Sequence, residues 1–179
     1  MGIAWSGGFH CFLLLWYNYG MKRTVYIETT VPSFYVEVRP EPEMVARRES
    51  TRRWWAEESP RYDLFTSAFV VGELQEGDYM GRQSALDIIE AVPLLEVVPE
   101  IEGIVAAYVQ RKLMPVGDAY HLAVASYYGV HFVLTWNCRH LANANKVRHL
   151  QVVNAELGLS VPVITTPDLL LTENDDDKR

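Results

Sequence analysis

Short apolar runs alternate with amphipathic stretches along the chain from Met21 to about Leu171. The apolar runs are rich in β-branched residues and mostly continuous in hydrophobicity, which is typical of strands buried on both faces. The runs that we interpret as strands are TVYI, LFTSAFVV, LLEVV, HFVLTW and PVIT. Strands separated by helical segments predict an α/β domain in which helices flank a central, mostly parallel sheet on both faces.

Two predicted helices carry clear signals at their ends. The stretch PEIEGIVAAYVQRKL begins with Pro99, which suits the first turn of a helix. The stretch GDAYHLAVASYYG ends at Gly129, which suits a left-handed terminating position. The apolar side chains that share one face of the first helix are Ile101, Ile104, Val105 and Tyr108. This spacing predicts that the face packs into the core.

The other predicted helices have weaker signals. We expect helices in EMVARRESTRRWWAEES and SALDIIEAV, and a helical turn or short helix in GELQEGD. A further helix in KVRHLQVVNAELG is predicted to end at Gly158. One side of it carries Val147, Leu150 and Leu157. A last helix is predicted to open in TPDLL, with Thr166 as its N-cap.

Composition narrows the class of protein. At 179 residues the chain is long enough for one domain with its own core. The net charge of -7 argues against a protein that coats nucleic acid by charge alone, although it leaves open an enzyme that acts on nucleic acid. The two cysteines, Cys11 and Cys138, form neither a disulfide framework nor a CxxC metal pair. These features predict a cytoplasmic protein.

The two ends of the chain differ from the domain between them. Residues 1–20 contain the apolar core FLLLWY, which is far too short to span a bilayer and lacks the features of a secretory signal. We interpret 1–20 as an N-terminal extension, with translation beginning at Met21. The domain is predicted over 21–171, and the acidic tail over 172–179 is predicted to be disordered. We expect no membrane association.

Four oxygen-bearing side chains end or follow the predicted buried segments: Glu28, Glu73, Asp118 and Asn137. In a parallel α/β sheet all four can converge at the carboxyl edge, where functional groups gather. Carboxylates brought close together repel one another, and a divalent cation removes that cost. Mg²⁺ and Mn²⁺ prefer such oxygen ligands. The set therefore indicates a metal site, although alone Asp118 also fits a first-turn helix charge and Glu73 a solvated helix residue.

Other chemistries have less support. The sequence lacks a Cys/His set for zinc, a GxxxxGK[ST] phosphate loop, a GxGxxG fingerprint and a GxSxG nucleophile motif. Its histidines, which include His121 and His140, do not show HExxH spacing. A phosphotransfer domain is also disfavoured, because Glu28 makes a poor phospho-acceptor and no D-x-D-x-[TV] element follows the first strand.

The motifs VYIETTVPS, GELQEG, GDAYHLAVAS and VLTWNCRHLAN, in this order and spacing, resemble those of PIN-domain ribonucleases of the VapC toxin type. The resemblance runs from about Met21 to Leu171. It implies a Rossmann-like PIN fold and an endoribonuclease that depends on Mg²⁺ or Mn²⁺. It further implies an RNA substrate, a homodimer and a cognate antitoxin that inserts into the groove of the active site.

By position, the resemblance assigns Glu28, Glu73 and Asp118 to the three core acids and Asn137 to the fourth ligand. Thr135 matches the hydroxyl residue that helps to arrange the site. The family usually places Asp where this chain has Glu28, and Asn137 is a neutral ligand. His140 stands where many relatives carry an acid. These departures put the second metal position in doubt.

The leading interpretation is hydrolysis of RNA by metal-activated water. Glu28, Glu73 and Asp118 would hold the ion, and Asn137 would orient a ligand water or a second ion. Thr29 or Thr135 would hydrogen-bond the carboxylates. Arg139 is a candidate contact for the scissile phosphate, because its planar fork suits phosphate oxygens, although a salt bridge within the loop fits it nearly as well.

Two other functions stay open. A PIN fold whose altered site binds metal or RNA without cutting would account for Glu28 and Asn137. A stand-alone RNA-processing nuclease would have the same site without an antitoxin. For the catalytic interpretation the decisive point is whether Glu28 reaches the ion or turns away to cap a helix.

Overall fold

The computed structural model describes residues 22–172, and the predictions for 1–20 and for the tail beyond Thr172 lie outside them. The strands are β1 (Arg23–Ile27), β2 (Tyr62–Ser67), β3 (Leu94–Leu95), β4 (Phe132–Leu134) and β5 (Val163–Thr165). The helices are α1 (Thr30–Tyr35), α2 (Pro42–Arg53), α3 (Ala68–Glu76), α4 (Arg82–Ile89), α5 (Pro99–Gln110), α6 (Val116–Tyr127) and α7 (Ala144–Leu157). A π-helical turn (Trp54–Glu58) and two 3₁₀ turns (Ser59–Arg61 and Pro167–Leu170) complete them.

All five strands lie in one sheet in the order β3-β2-β1-β4-β5, and every neighbouring pair is parallel. The predicted α/β fold class, with a parallel central sheet flanked by helices, is therefore confirmed. The first strand, β1, occupies the centre, with β2 on one side and β4 on the other. This order places the carboxyl end of β1 in the middle of the sheet edge.

Alternation along the strands sends side chains to two cores, one on each face of the sheet. Val25 and Ile27 of β1 pack with Trp54 on one face. Tyr26, between them, belongs to the larger core on the other face, which α3 to α7 cover. Because both faces are buried, the strands read as continuous apolar runs in the sequence.

The clearest helix predictions are confirmed. The helix α5 begins at Pro99, and all four residues of its predicted apolar face are buried: Ile101, Ile104, Val105 and Tyr108. Gly129 follows α6 with φ +64°, and Gly158 ends α7 with φ +70°. Both glycines therefore adopt the left-handed backbone that the sequence predicts there.

The strand predicted over LFTSAFVV is wrong in its second half, because α3 begins at Ala68. Sequence reasoning favoured β structure there on account of the β-branched residues. The helix forms because Val70 and Leu74, four residues apart, both bury in the core on the same helical face. Glu73 is consequently in the second turn of a helix, since GELQEGD continues α3 and does not start a new element.

The stretch TTVPS, for which the sequence predicts no element, forms the start of α1. Three other predictions need correction. The predicted strand LLEVV is reduced to two residues, Leu94–Leu95, at one edge of the sheet. In α7, Val147 and Leu157 are exposed, and Leu150 shares the buried side with Val153 and Asn154. Thr166 precedes a four-residue 3₁₀ turn, and its side chain makes no capping hydrogen bond.

The carboxyl edge brings two chain exits together. Ile27 pairs with Leu134, so Glu28 and Thr135 leave the sheet side by side. The Glu28 amide donates to the Leu134 carbonyl at 3.1 Å, which extends the pairing by one residue. Among the helices of 22–172, none is long and apolar enough to cross a membrane.

Candidate metal centre

Glu28 occupies the middle of the carboxyl edge and is 3% exposed. One of its oxygens, Oε2, accepts hydrogen bonds from the Thr30 amide at 3.1 Å and from the Thr135 hydroxyl at 2.7 Å. The Thr30 hydroxyl donates to the same oxygen. The other oxygen, Oε1, accepts no hydrogen bond from the described part of the chain. Oε2 therefore accepts from the start of α1, whereas Oε1 points to the side of His121.

Glu73 projects from α3 toward Glu28 and is half-buried. Its Oε2 accepts hydrogen bonds from His121 Nε2 at 3.0 Å and from the Thr29 hydroxyl. Burial disfavours the carboxylate, but the hydrogen bond and charge of His121 and the hydrogen bond from Thr29 outweigh it, so the pKa of Glu73 is lowered. Glu73 is therefore ionised at neutral pH.

His121 lies beneath the two carboxylates and is 1% exposed. Its Nδ1 is 3.1 Å from the Tyr26 hydroxyl, which is itself 2.7 Å from Ser67 Oγ. Its Nε2 is 3.8 Å from Glu28 Oε1. Burial disfavours the imidazolium, but the hydrogen bond to Glu73 and the charges of the acids around it raise the pKa of His121. The positive charge of a protonated His121 therefore offsets the negative charges of the acids around it.

The donor set fits a divalent cation. Glu28, Glu73 and His121 each offer one ligand atom, and these three atoms lie within 4.8 Å of one another. Two carboxylate oxygens and one imidazole nitrogen are ligands that divalent first-row metals accept. We refer to these three residues as the metal cluster. A cation there would relieve the repulsion between carboxylates that the fold holds together.

Asp118 and Asn137 form a pair beside the metal cluster. Asp118 is in the first turn of α6, and the Asn137 side-chain amide donates to its Oδ1 at 2.6 Å. Asn137 is positioned in turn, because its amide N–H donates to Thr135 Oγ1 at 2.9 Å. Burial, supported by the charge of Glu73, raises the pKa of Asp118 despite the opposing charges of His140 and His121. The charge of Glu73 therefore acts on Asp118, although Asp118 supplies none of the three ligand atoms of the metal cluster.

The two predicted hydroxyl residues both contact carboxylates. Thr135 donates to Glu28 Oε2, and Thr29 donates to Glu73 Oε2. Arg139 is exposed on the loop that follows Asn137. Its guanidinium forms no salt bridge within 22–172, so the loop ion pair considered from the sequence is not present there.

Sequence reasoning missed His121, Tyr26 and Thr30. His121 follows Asp118 by three residues on α6, a spacing that puts both on one helical face. That spacing is the signal in the sequence that could have identified His121, although it does not match an HExxH motif. Tyr26 could not be distinguished from an ordinary core residue, because only the sheet order brings it beneath His121.

Neither a protein-family model nor a curated protein matches this chain. Among solved structures, the crystal structure of FitAcB from Neisseria gonorrhoeae matches it with a TM-score of 0.48 and 17% sequence identity. The match covers 80% of this chain and 97% of that chain. The chain's own sheet and side chains define its class. It is a parallel α/β domain with a carboxylate-imidazole cluster at the carboxyl edge of the sheet.

Proposed function

We propose that this protein is a metal-dependent endoribonuclease of the PIN type. The observation that carries the proposal is the metal cluster at the carboxyl edge, with three ligand atoms within 4.8 Å of one another. The resemblance of the motifs around Glu28, Glu73, Asp118 and Asn137 to those of VapC-type ribonucleases supports RNA as the substrate.

The proposed cofactor is Mg²⁺ or Mn²⁺. A bound divalent cation lowers the pKa of water and stabilises the charge that develops on a phosphodiester. Glu28 Oε1 and Glu73 would hold it. The hydrogen bonds from Thr135 to Glu28 and from Thr29 to Glu73 fix the two carboxylates before any ion arrives, which lowers the cost of forming the site.

Asp118 has a different role in this proposal. Its raised pKa and its position beside the cluster suit a group that takes a proton from the attacking water. Oδ1 accepts from Asn137, so the proton would be taken at Oδ2. Asn137 orients this carboxylate, and Arg139 on the exposed loop would contact the scissile phosphate through its planar fork.

The wider setting is part of the same proposal. The resemblance to VapC-type toxins supports a cognate antitoxin and a homodimer as partners. We place the reaction in the cytoplasm, where Cys11 and Cys138 would stay reduced. A stand-alone RNA-processing role keeps the same chemistry and differs only in the absence of an antitoxin.

Cleavage of a structured RNA by the purified full chain tests the proposal. We expect cleavage with Mn²⁺ or Mg²⁺, no cleavage with EDTA, and a loss of at least about a hundredfold for Asp118→Asn, because the substitution removes the proton acceptor. Asp63→Asn is the matched control, since Asp63 is an exposed carboxylate on β2. Equal cleavage with EDTA, or by Asp118→Asn, would contradict the proposal.

A second candidate function is binding of RNA or metal without cleavage. The Asn137 side chain favours it, because a neutral amide hydrogen-bonded to Asp118 Oδ1 stands where the family often has a fourth carboxylate. In that case the purified chain would retain RNA in a gel-shift assay and leave it intact at every metal tested. Asn137→Asp would then introduce the missing charge and create cleavage.

A further inference from the structure

We propose that His121 Nε2 is a ligand of the metal, so that the site selects Mn²⁺ and other imidazole-accepting divalent cations over Mg²⁺. The inference deepens the proposed function and rests on its metal cluster, although it does not depend on RNA cleavage. It replaces the all-oxygen site expected from the sequence with a mixed nitrogen and oxygen site.

The distances around Nε2 suit shared coordination. Nε2 is 3.0 Å from Glu73 Oε2 and 3.8 Å from Glu28 Oε1. Two ligands bound about 2.1 Å from one ion lie about 3 Å apart at a right angle and about 4 Å apart on opposite sides. Both observed separations fall in that interval. The imidazole nitrogen is therefore spaced from each carboxylate as two ligands of one ion are, and all three atoms lie within 4.8 Å of one another.

Glu28 gives an independent indication of a missing partner. The side chain is 3% exposed, yet its three hydrogen bonds all go to Oε2. Within the described residues, Oε1 meets only His121 Nε2, at 3.8 Å, which is too long for a hydrogen bond. Oε1 keeps slight contact with solvent, so an ion can reach it, and a cation there would supply the partner that the described residues do not.

The far side of the imidazole is arranged as for a ligand. Histidines that bind metals usually hydrogen-bond through their other nitrogen, which fixes the orientation of the ring. Here Nδ1 meets the Tyr26 hydroxyl at 3.1 Å, and Ser67 Oγ meets the same hydroxyl at 2.7 Å. The Tyr26 hydroxyl can accept from Nδ1–H and donate to Ser67, and Nε2 can then bind an ion after it releases to solvent the proton that it donates to Glu73. All three side chains are buried, so this orientation does not depend on solvent.

The consequence for metal choice follows from ligand chemistry. Mg²⁺ takes oxygen ligands and water almost exclusively, whereas imidazole suits the transition metals. With His121 bound, Mn²⁺ gains a nitrogen ligand that Mg²⁺ uses poorly. We expect Mn²⁺ to bind at least about tenfold more tightly than Mg²⁺, and this preference to fall most of the way to parity when the imidazole is removed.

Pulsed electron paramagnetic resonance of the Mn²⁺-loaded full chain, with ¹⁵N-histidine incorporated, tests the coordination directly. We expect a ¹⁵N hyperfine coupling typical of a bound imidazole, retained in His140→Gln and lost in His121→Gln. His140 is the matched control, because its backbone N–H donates to Asn137 Oδ1 at 3.2 Å and its charge reaches Asp118. If His121→Gln fails to fold, wild type and His140→Gln carry the test, because loss of the coupling in His140→Gln would contradict the assignment to His121.

Two outcomes would overturn the inference. Bound Mn²⁺ without a nitrogen coupling would show that His121 neutralises the acids without touching the ion. A coupling that disappears in His140→Gln would assign the nitrogen to the loop. Because neither readout requires RNA, a protein with the coupling and no cleavage would retract the nuclease proposal and leave the ligand assignment intact.

Discussion

Two buried polar networks meet on α6, and they differ in what they leave unsatisfied. Near the end of the helix, Ser126 joins Tyr108 and Asn154. The Tyr108 hydroxyl donates to Asn154 Oδ1 at 2.6 Å, and the Asn154 amide donates to Ser126 Oγ at 3.1 Å and to the Ser160 carbonyl at 2.7 Å. Every group is neutral and hydrogen-bonded. This network therefore connects α5, α6 and α7 and needs no ligand to satisfy its polar groups.

The second network, around His121, is charged and incomplete. It joins Glu28, Glu73 and His121, and Glu28 Oε1 has no donor in the described chain. Buried carboxylates cost free energy unless something compensates them, and within 22–172 their only ion-pair partner is one imidazole. The comparison separates two networks on one helix: the neutral network connects three helices, and the charged one carries the proposed metal site.

The largest expected effect is that of a substitution in the charged network. Glu28→Gln keeps the oxygen that accepts from Thr30 and Thr135 and removes the charge needed for the ion. We expect RNA cleavage to fall by at least about a hundredfold while the midpoint of urea unfolding shifts little. Asn154→Ala should show the converse, with cleavage per folded molecule unchanged. Both variants should be measured by the cleavage assay and by urea unfolding. If each variant lost both activity and stability, the functional separation of the two networks would be refuted.

Metal binding should stabilise the protein through the incomplete network alone. Mn²⁺ at about one hundred times its dissociation constant should add about 2.7 kcal/mol to the free energy of unfolding. We expect this gain in wild type and in Asn154→Ala, and none in Glu28→Gln. Urea unfolding with and without Mn²⁺ measures it, and equal gains in wild type and Glu28→Gln would place the ion elsewhere.

The satisfied network should respond only in stability. Asn154→Ala leaves the Ser160 carbonyl without its donor and the Tyr108 hydroxyl with Ser126 Oγ alone, at 3.2 Å, and we expect a loss of about 2 kcal/mol in urea unfolding. Tyr108→Phe in the same background should restore part of that loss, since it removes a buried hydroxyl that keeps only the longer of its two hydrogen bonds. An additive loss in the double variant would show that the two side chains act independently.

The smallest expected effect is a pH dependence confined to the metal-free protein. The folded pKa of His121 is raised above 6.5, so its stabilisation is present below that pH and is lost as pH rises through the folded value. The pKa of Glu73 is lowered below 4.5, so its contribution is present above that pH and is lost as pH falls.

In EDTA, wild type should therefore be most stable between these two limits and should weaken toward alkaline pH. Asn154→Ala should keep the alkaline decline, and His121→Gln should remove it. Unfolding midpoints collected from pH 5 to 9 measure the profile. A decline of the same size in His121→Gln would assign the titration to another group.

The parts of the fold that the sequence predicts well are those where periodicity and burial agree. The apolar face of α5 and the glycine ends of α6 and α7 follow from local rules. The start of α3 at Ala68 does not, because Ala68 to Val71 have strand-like composition and only the packing of Val70 and Leu74 makes them helical. Local composition and tertiary packing compete there, and packing decides.

The candidate site divides in the same way. Glu28, Glu73, Asp118 and Asn137 were identified from motifs, and the structure brings Glu28 and Glu73 together while joining Asp118 to Asn137 by a hydrogen bond. His121 was missed because its partners lie on β1 and α3, remote in sequence. Motifs identify the acids along the chain, whereas His121 can be assigned to the site only when the order of the strands in the sheet is known.

Isothermal titration of Mn²⁺ into the EDTA-stripped full chain is the most direct test of the central claim, that the incomplete network on α6 is a metal centre. We expect one ion per chain in wild type and in Asn154→Ala, and no detectable binding in the Glu28→Gln, Glu73→Gln double variant. Unchanged binding in the double variant, or no binding in wild type, would contradict it.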